Sequence, residues 1–245
     1  MKNLIVKIFD RFDITIKKKK KLEKKDIAFL HIGKTGGTQI MNIFSKLTDY
    51  DFKVIKHNHN IKLSDISIKN NYFFSIRKPE KRFFSSFYSR LRKGEPRINV
   101  KWSKVEEFAF KNFQSANELA ESIFLQNDKG KKARMAITGI SHMNKNQSSW
   151  FENFSFLSQR PPLFIIRQEN LISDVDTLFK ILNINSNAQD LVDDDSKISH
   201  KNNYLDIEPL SELAIKNINN WYVEDNFFYK ICSDWINTTK QKNQR

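Results

Sequence analysis

A chain of 245 residues that is 39% hydrophobic, with only six glycines and five prolines, is long enough for one large domain and is neither fibrous nor largely disordered. Lysine and arginine number 42 against 28 aspartates and glutamates, a formal net charge of +14 that favours anionic partners, although biased composition would also give such an excess. The single cysteine, Cys232, excludes an intrachain disulfide.

The first 25 residues are predicted to form a basic tail or helix ahead of a single domain at 26–240. A lysine run at 17–21 follows apolar residues at 4–12, so this segment could contact an anionic membrane surface. A solvated basic tail is the simpler interpretation. No apolar run approaches the ~20 residues that a membrane span needs. The predicted location is the cytoplasm, with peripheral contact at the inner membrane face as an addition.

The predicted domain alternates strands and helices. Short, mostly apolar runs predict strands at 27–32, 52–56, 72–76 and 163–166. Helical spacing predicts helices at 38–47, from Pro79 to before Gly94, throughout about 103–158, and at 173–182, 209–219 and 219–237. This order predicts an α/β, P-loop-like three-layer fold with a central parallel sheet flanked by helices, and with helical middle and C-terminal segments.

Each predicted strand is followed by a polar cluster, at 33–38, 57–60, 77–82 and 167–169. In parallel α/β folds, ligands bind beyond the carboxyl ends of the strands. The sequence therefore predicts that these four clusters build one site.

The first cluster has the composition of a phosphate-binding loop. Glycines let backbone N–H groups approach an oxyanion, the following helix contributes its positive end, and Lys34 adds a full charge. We expect the ligand to be held by Gly33, Lys34, Thr35, Gly36, Gly37 and Thr38. A Walker A loop is excluded, because aligning its Gly-Lys-Thr end here requires a glycine at position 28, which is Ala28.

Two motifs resemble one enzyme family. The segment 32–38 is similar to the 5′-phosphosulfate loop of sulfotransferases that use 3′-phosphoadenosine 5′-phosphosulfate (PAPS), in particular the Golgi-type carbohydrate sulfotransferases (the heparan sulfate 2-O group among them) and their bacterial relatives. The segment 75–88 resembles that family's 3′-phosphate segment, whose pattern falls here on Arg77, Pro79, Arg82 and Ser85. Departures are Lys78, where an acidic residue is common, and Gln39, where a small hydroxyl residue is common.

The resemblance implies transfer of a sulfuryl group from PAPS to a hydroxyl, with Arg77, Arg82 and Ser85 binding the ribose phosphate. Lys34 is expected to stabilise the leaving oxygen, and no metal is expected. His142 is the preferred general base and His59 the second choice, because histidine titrates near neutral pH. A glutamate base remains an alternative. His31 is interpreted as a wall residue and Glu169 as a structural partner of arginines, while Lys201 and Asn203 could contact the nucleotide.

The expected acceptor is a saccharide or glycan, and no specific nucleic acid is expected as a partner; the sequence leaves the oligomeric state open. Basic residues could meet an acidic glycan or simply form a solvated face: Arg90, Arg92, Lys93, Arg97 and Lys101. Two rival functions remain: a small-molecule kinase, which would bind ATP with magnesium, and a non-enzymatic basic protein that binds glycan or nucleic acid.

Overall fold

The computed structural model describes residues 26–48, 50–192 and 206–242. Its centre is a four-stranded parallel sheet in the order β2-β1-β3-β4. The strands are β1 (Ile27–Leu30), β2 (Val54–Lys56), β3 (Tyr72–Ile76) and β4 (Ile165–Arg167). Every residue of β1 and β3 is buried, as their unbroken apolar sequences predict for central strands covered on both faces.

Helices flank this sheet. Within the described residues they are α1 (Gly37–Ser45), α2 (Pro79–Leu91), α3 (Lys104–Asn112), α4 (Ala116–Ser122), α5 (Asp128–Gly139), α6 (Phe156–Gln159), α7 (Leu171–Ile181), α8 (Glu212–Trp221) and α9 (Val223–Lys242). Short 3-10 turns lie at Leu63–Asp65, Gln147–Trp150, Gln168–Asn170 and Gln189–Leu191. No helix in these described ranges is both apolar enough and long enough to cross a bilayer.

The buried apolar side chains form two clusters. The first packs on the sheet, where Phe29 and Phe73 of neighbouring strands stack with ring centroids 4.8 Å apart. The second lies among α2, α3, α4, α5 and α8, where Phe87 meets Phe110 edge-on at 5.4 Å. Helix α2 starts at the carboxyl edge of the sheet and enters the second cluster, so it connects the sheet to the helical region.

The predicted α/β architecture with a central parallel sheet is confirmed. The middle is less helical than predicted, because only the 3-10 turn Gln147–Trp150 lies between α5 and α6. The other differences are at element ends. The first strand ends at Leu30, because His31 and Ile32 already turn into the glycine loop. The second strand is shorter than predicted and the fourth begins two residues later. The predicted N-terminal tail lies outside the described residues.

The strand order places a topological switch between β1 and β3. From β1 the chain first adds β2 on one side and then returns to add β3 on the other. Connections that leave a sheet in opposite directions open a crevice between the carboxyl ends of the two strands. By this rule, a ligand is expected between the loop at 33–38 and the segment at 77–82, which follow β1 and β3.

Candidate functional site

The loop at 33–38 joins the end of β1 to α1 through two left-handed residues. Lys34 has φ 68° and Gly36 has φ 89°. Glycine adopts this conformation readily because it has no Cβ, whereas a lysine held there costs about 1–3 kcal/mol. Helix α1 begins directly afterwards without a side-chain cap at Gly36. A helix N-terminus leaves N–H groups without intrahelical partners, the arrangement that binds oxyanions.

Two arginines of the 77–82 segment hold the loop by its carbonyl groups. Arg82 Nε donates to Gly33 O at 3.0 Å, and Arg77 Nη1 donates to Lys34 O at 3.3 Å. The C=O and the N–H of a trans peptide point in opposite directions. Holding these carbonyls therefore also fixes the directions of the N–H groups of Lys34 and Thr35.

The two loop threonines have different surroundings. Thr35 is fully buried, and its Oγ1 donates to Ile32 O at 2.8 Å and shares a hydrogen bond with Ser75 Oγ at 2.7 Å. Its hydroxyl is thus directed into the sheet rather than at a ligand, so only its backbone N–H can serve the predicted binding role. Thr38 is half-buried and accepts from Arg97 Nη1 at 2.8 Å.

The Lys34 ammonium lies in a desolvated and electropositive position. Burial is the largest effect on its pKa, the charge of Arg77 is the next, and together they lower the pKa to about 8. A cation whose charge is opposed in this way gains when an anion binds beside it. The site is therefore electrostatically prepared for a negatively charged group.

Arg77 is fixed by its backbone. Gln147 Oε1 accepts from Arg77 N at 2.9 Å, and Gln147 Nε2 donates to Arg77 O at 2.8 Å. At the next residue, Lys78 N donates to Glu169 Oε1 at 2.8 Å, and Glu169 Oε2 also accepts from the Tyr229 hydroxyl at 3.2 Å. Glu169 thus has the structural role that we expected, although it binds a backbone N–H rather than an arginine side chain.

Arg82 is buried deeper than a ligand-binding arginine needs to be. It is 2% exposed, and its Nη1 lies 3.5 Å from Asp225 Oδ2 in α9. Its Nη2 is buried with no hydrogen-bond partner among the described residues. Ser85, one helical turn further along α2, is 7% exposed. Arg82 therefore supports the loop from behind, and the structure does not present it to a ligand as the sequence predicts.

Three histidines form a row beside the loop. The ring centroids of His31 and His59 are 4.2 Å apart, and those of His59 and His142 are 5.2 Å apart. The His31 ring packs against Gly37. A Cβ at Gly33 would lie 2.5 Å from His142 Nδ1, so only glycine allows this approach. His142 has φ 69°, a conformation that non-glycine residues rarely adopt and that is common at functional sites.

Burial lowers the pKa of all three histidines, but His59 differs from the other two. Burial, then the neighbouring His59, lowers the pKa of His31 to about 2 and that of His142 to about 3. Burial also lowers the pKa of His59, but its hydrogen bond with the His31 carbonyl acts in the opposite direction. His59 Nδ1 lies 3.0 Å from His31 O. A carbonyl only accepts, so Nδ1 carries the proton and Nε2 is the basic nitrogen.

The structure brings most predicted site residues to one edge of the sheet, namely the loop at 33–38, Arg77, Arg82, Ser85, His59 and His142. Lys201 and Asn203 lie outside the described residues.

Fewer of the basic residues that could meet an acidic glycan are accessible than predicted. Arg90 is buried and forms a bidentate ion pair with Glu106 at 2.6 and 2.8 Å. In the described part of the chain, no three His, Cys, Asp or Glu side chains are arranged to hold a metal ion.

Sequence reasoning gave no role to Gln147 and Asp225, and it placed Arg97 only among the basic residues that could meet an acidic glycan. Gln147 belongs to a polar segment that follows His142, which is a usable signal. Asp225 lies in an aromatic helix, where nothing local marks it, and the contact of Arg97 with Thr38 also has no local signal. Comparisons of the chain with protein-family models, curated proteins and solved structures found no match.

Proposed function

We propose that this protein is a sulfotransferase that moves a sulfuryl group from PAPS to a hydroxyl of a saccharide. One observation supports this most strongly: the two segments that resemble phosphate-binding motifs lie in direct contact, with Arg77 Nη1 3.3 Å from Lys34 O. Two motifs facing separate cavities could not bind one nucleotide. Their meeting at a switch point of a parallel sheet suits a ligand with phosphates at both ends.

The phosphosulfate end would bind at the loop. The N–H groups at 34–38 and the N-terminus of α1 donate to its oxygens, and the Lys34 ammonium supplies positive charge. The ribose 3′-phosphate would bind on the β3 side. There Arg77 and Ser85 would be the donors, and Arg82 would act through its hydrogen bond to Gly33 O.

The reaction proposed is an in-line displacement at sulfur. The acceptor oxygen forms a bond to sulfur while the bond from sulfur to the 5′-phosphate oxygen breaks, and that oxygen takes the electron pair. The products are a sulfate ester and adenosine 3′,5′-bisphosphate. Negative charge develops on the departing oxygen, so the loop N–H groups and Lys34 stabilise the transition state more than the ground state.

His59 is favoured over His142 as the general base, which reverses the preference taken from the sequence. The bond from His59 Nδ1 to the His31 carbonyl fixes the tautomer that leaves Nε2 free to accept the acceptor's proton. The pKa of His142 falls to about 3, which makes it a weak base. His142 is instead suited to shaping the wall of the site against Gly33.

Ligand binding tests the proposal against its rivals. Adenosine 3′,5′-bisphosphate is expected to raise the melting temperature, and ATP with magnesium to have little effect. Labelled sulfate from PAPS should appear on at least one member of a saccharide panel. Arg77→Met should weaken bisphosphate binding, whereas Lys69→Met, at an exposed lysine of the 57–71 connection, should not.

The opposite preference, with ATP stabilising the protein and the bisphosphate inert, would identify a small-molecule kinase. Saccharide or nucleic-acid binding without any nucleotide binding would identify a non-enzymatic protein.

A further inference from the structure

The segment 92–104, which leads from α2 into α3 and is called the cationic loop below, has a strong positive charge. It carries five basic residues against one glutamate, a formal charge of +4. The basic residues are Arg92, Lys93, Arg97, Lys101 and Lys104. Within the described ranges, none of its three lysines takes part in a salt bridge. The protein itself therefore leaves most of this charge uncompensated.

Hydrogen bonds fix the backbone of the cationic loop. Val100 N donates to Lys93 O at 2.8 Å, which closes the loop on itself. The buried Arg90 anchors it to α2, because its Nη2 donates to Val100 O at 3.4 Å and its carbonyl accepts from Trp102 Nε1 at 2.7 Å. The loop thus has a defined shape, although every residue from 95 to 101 is exposed.

Two large apolar side chains lie at the exposed tip of the cationic loop. Ile98 is 54% exposed and Val100 is 50% exposed. A single exposed apolar residue is common and needs no explanation. Two of them on a fixed backbone, among lysines that no carboxylate pairs with, form a specific combination. It suits the surface of a bilayer, where apolar side chains enter the headgroup region and cations meet anionic lipids.

The cationic loop lies at the edge of the sheet that carries the candidate site. Arg97 Nη1 donates to Thr38 Oγ1 at 2.8 Å, in the first turn of α1. Helix α1 follows the carboxyl end of β1 through the loop at 33–38. A surface bound to the cationic loop would therefore lie next to the loop at 33–38 and not at the amino edge of the sheet.

We propose that the cationic loop binds an anionic lipid surface. Ile98 and Val100 enter the headgroup region, and the three lysines meet the lipid phosphates. A soluble polyanion would use the lysines alone, since a hydrated polymer offers nothing to apolar side chains. The inference goes beyond the proposed function and does not depend on it. It also concerns a different part of the chain from the lysine run at 17–21, which lies outside the described residues.

Sedimentation of the full chain with lipid vesicles tests the proposal. We expect binding to vesicles of phosphatidylglycerol mixed with phosphatidylcholine, and much weaker binding to phosphatidylcholine alone. Ile98→Ser combined with Val100→Ser should weaken binding to the anionic vesicles about tenfold or more. Each lysine near an anionic surface contributes about fivefold, so Lys101→Gln combined with Lys104→Gln should weaken it about 25-fold.

Matched controls change the amino edge of the sheet. Ile68 is 80% exposed and, like the exposed Lys69, precedes β3, while the exposed Lys53 precedes β2. Ile68→Ser, and Lys53→Gln combined with Lys69→Gln, should leave vesicle affinity largely unchanged. Exposed charges more than about 10 Å from the bilayer are screened by salt. Losses in these controls equal to those in the test variants would overturn the inference.

A fluorescent label separates contact by the cationic loop from contact by any other segment. Asn99→Cys places a thiol between the two apolar residues, and the native Cys232 is buried, so an environment-sensitive label attaches selectively at position 99. Anionic vesicles should raise its emission and shift it to shorter wavelength. The same label introduced by Lys69→Cys should not respond.

Three results would contradict the proposal. The first is an absence of binding to the anionic vesicles. The second is vesicle binding that both double variants retain while the label at position 99 stays silent, which would assign binding to another segment. The third is binding that needs the lysines but not Ile98 and Val100, which would identify a soluble polyanion as the partner. None of these measurements contains a nucleotide, so their outcome leaves the sulfotransferase proposal to its own test.

Discussion

Gln147 satisfies both backbone hydrogen-bonding groups of Arg77, accepting from its N–H and donating to its carbonyl. The side-chain amide thus takes the place of a neighbouring strand at the point where β3 has ended. Gln147 N in turn donates to Asp225 Oδ1 at 2.6 Å, and Asp225 pairs with Arg82. A chain of contacts therefore runs from α9 to both arginines that hold the loop.

Replacing Gln147 with methionine should weaken both folding and nucleotide binding. The change keeps an unbranched side chain of similar length but leaves the Arg77 N–H and C=O without their partner, at about 1–3 kcal/mol for each group left buried and unsatisfied. Urea unfolding measures the first effect, and calorimetry with adenosine 3′,5′-bisphosphate measures the second. Gln159→Met, at an exposed glutamine, should change stability by no more than about 0.5 kcal/mol. A destabilised variant that kept full bisphosphate affinity would show that Gln147 has no positioning role.

The decrease of kcat/KM at low pH, the acid limb of the rate profile, should result from protonation of His59. A general base must be neutral, so kcat/KM should fall as pH drops through a midpoint below 6.5, because burial lowers the pKa of His59 from that value. His59→Asn preserves a donor near the position of Nδ1 but removes the base. The rate of labelled-sulfate transfer should fall about 10²–10⁴-fold and the acid limb should disappear. If His142→Asn produced this outcome and His59→Asn did not, the base would be His142.

Bisphosphate affinity should decline at alkaline pH because of Lys34. Its pKa in the free protein is about 8, so the ammonium is protonated below that value and loses its charge as pH rises through it. Adenosine 3′,5′-bisphosphate should therefore bind progressively more weakly above pH 8, as measured by calorimetry across pH 7 to 10. Lys34→Arg should flatten this dependence, since an arginine stays charged over the whole range. A decline of the same size in Lys34→Arg would assign the titration to another group.

The ion pair between Arg90 and Glu106 should be a major source of stability in the helical region. Glu106→Gln leaves a buried guanidinium without a counter-charge, a change that costs about 3–5 kcal/mol. The exposed Glu107 pairs with Lys111 at 2.8 Å, and Glu107→Gln should cost at most about 1 kcal/mol. Urea unfolding of the two variants provides the comparison. Similar losses in both would mean that burial of Glu106 adds nothing.

The pH dependence of that stability has a definite sign. Burial raises the pKa of Glu106, but hydrogen bonds from Arg90, Ser103 and Ser141 outweigh it and lower the pKa from 4.5 to about 2. A carboxyl whose pKa falls on folding stabilises the protein above its unfolded pKa and loses that contribution as pH falls. The stability gap between the unaltered protein and Glu106→Gln should therefore be constant above pH 4.5 and close towards pH 2.

Local sequence patterns predicted the framework of this fold well. The third strand, predicted at 72–76, is β3 with the same bounds, because an apolar run between polar residues specifies a buried strand. The glycine loop and the arginine segment were found in the same way, from residue types next to predicted strand ends. The sequence did not locate the end of β1. His31 and Ile32 are buried although they do not belong to the strand, so an apolar run does not distinguish them from strand residues.

Contacts between distant segments left no local signal. Asp225 binds Gln147, which is 78 residues earlier in the chain, and periodicity in α9 marks only its apolar face. The arginines of α2 illustrate the same limit. Arg82 and Arg90 carry the same charge on one helix, yet one supports the loop and the other pairs with Glu106 in the helical region. Which role each takes depends on partners that the helix does not contain.

The shape of the phosphate loop is imposed from outside it. Gly33 and Lys34 have their carbonyls held by arginines that belong to another strand and helix, more than forty residues away in the chain. A fragment consisting of β1, the loop and α1, transplanted into another scaffold, would keep its glycines but lose those guanidinium contacts. Its peptide planes could then rotate, and the graft should bind anions poorly unless the Arg77–Arg82 segment is transplanted with it.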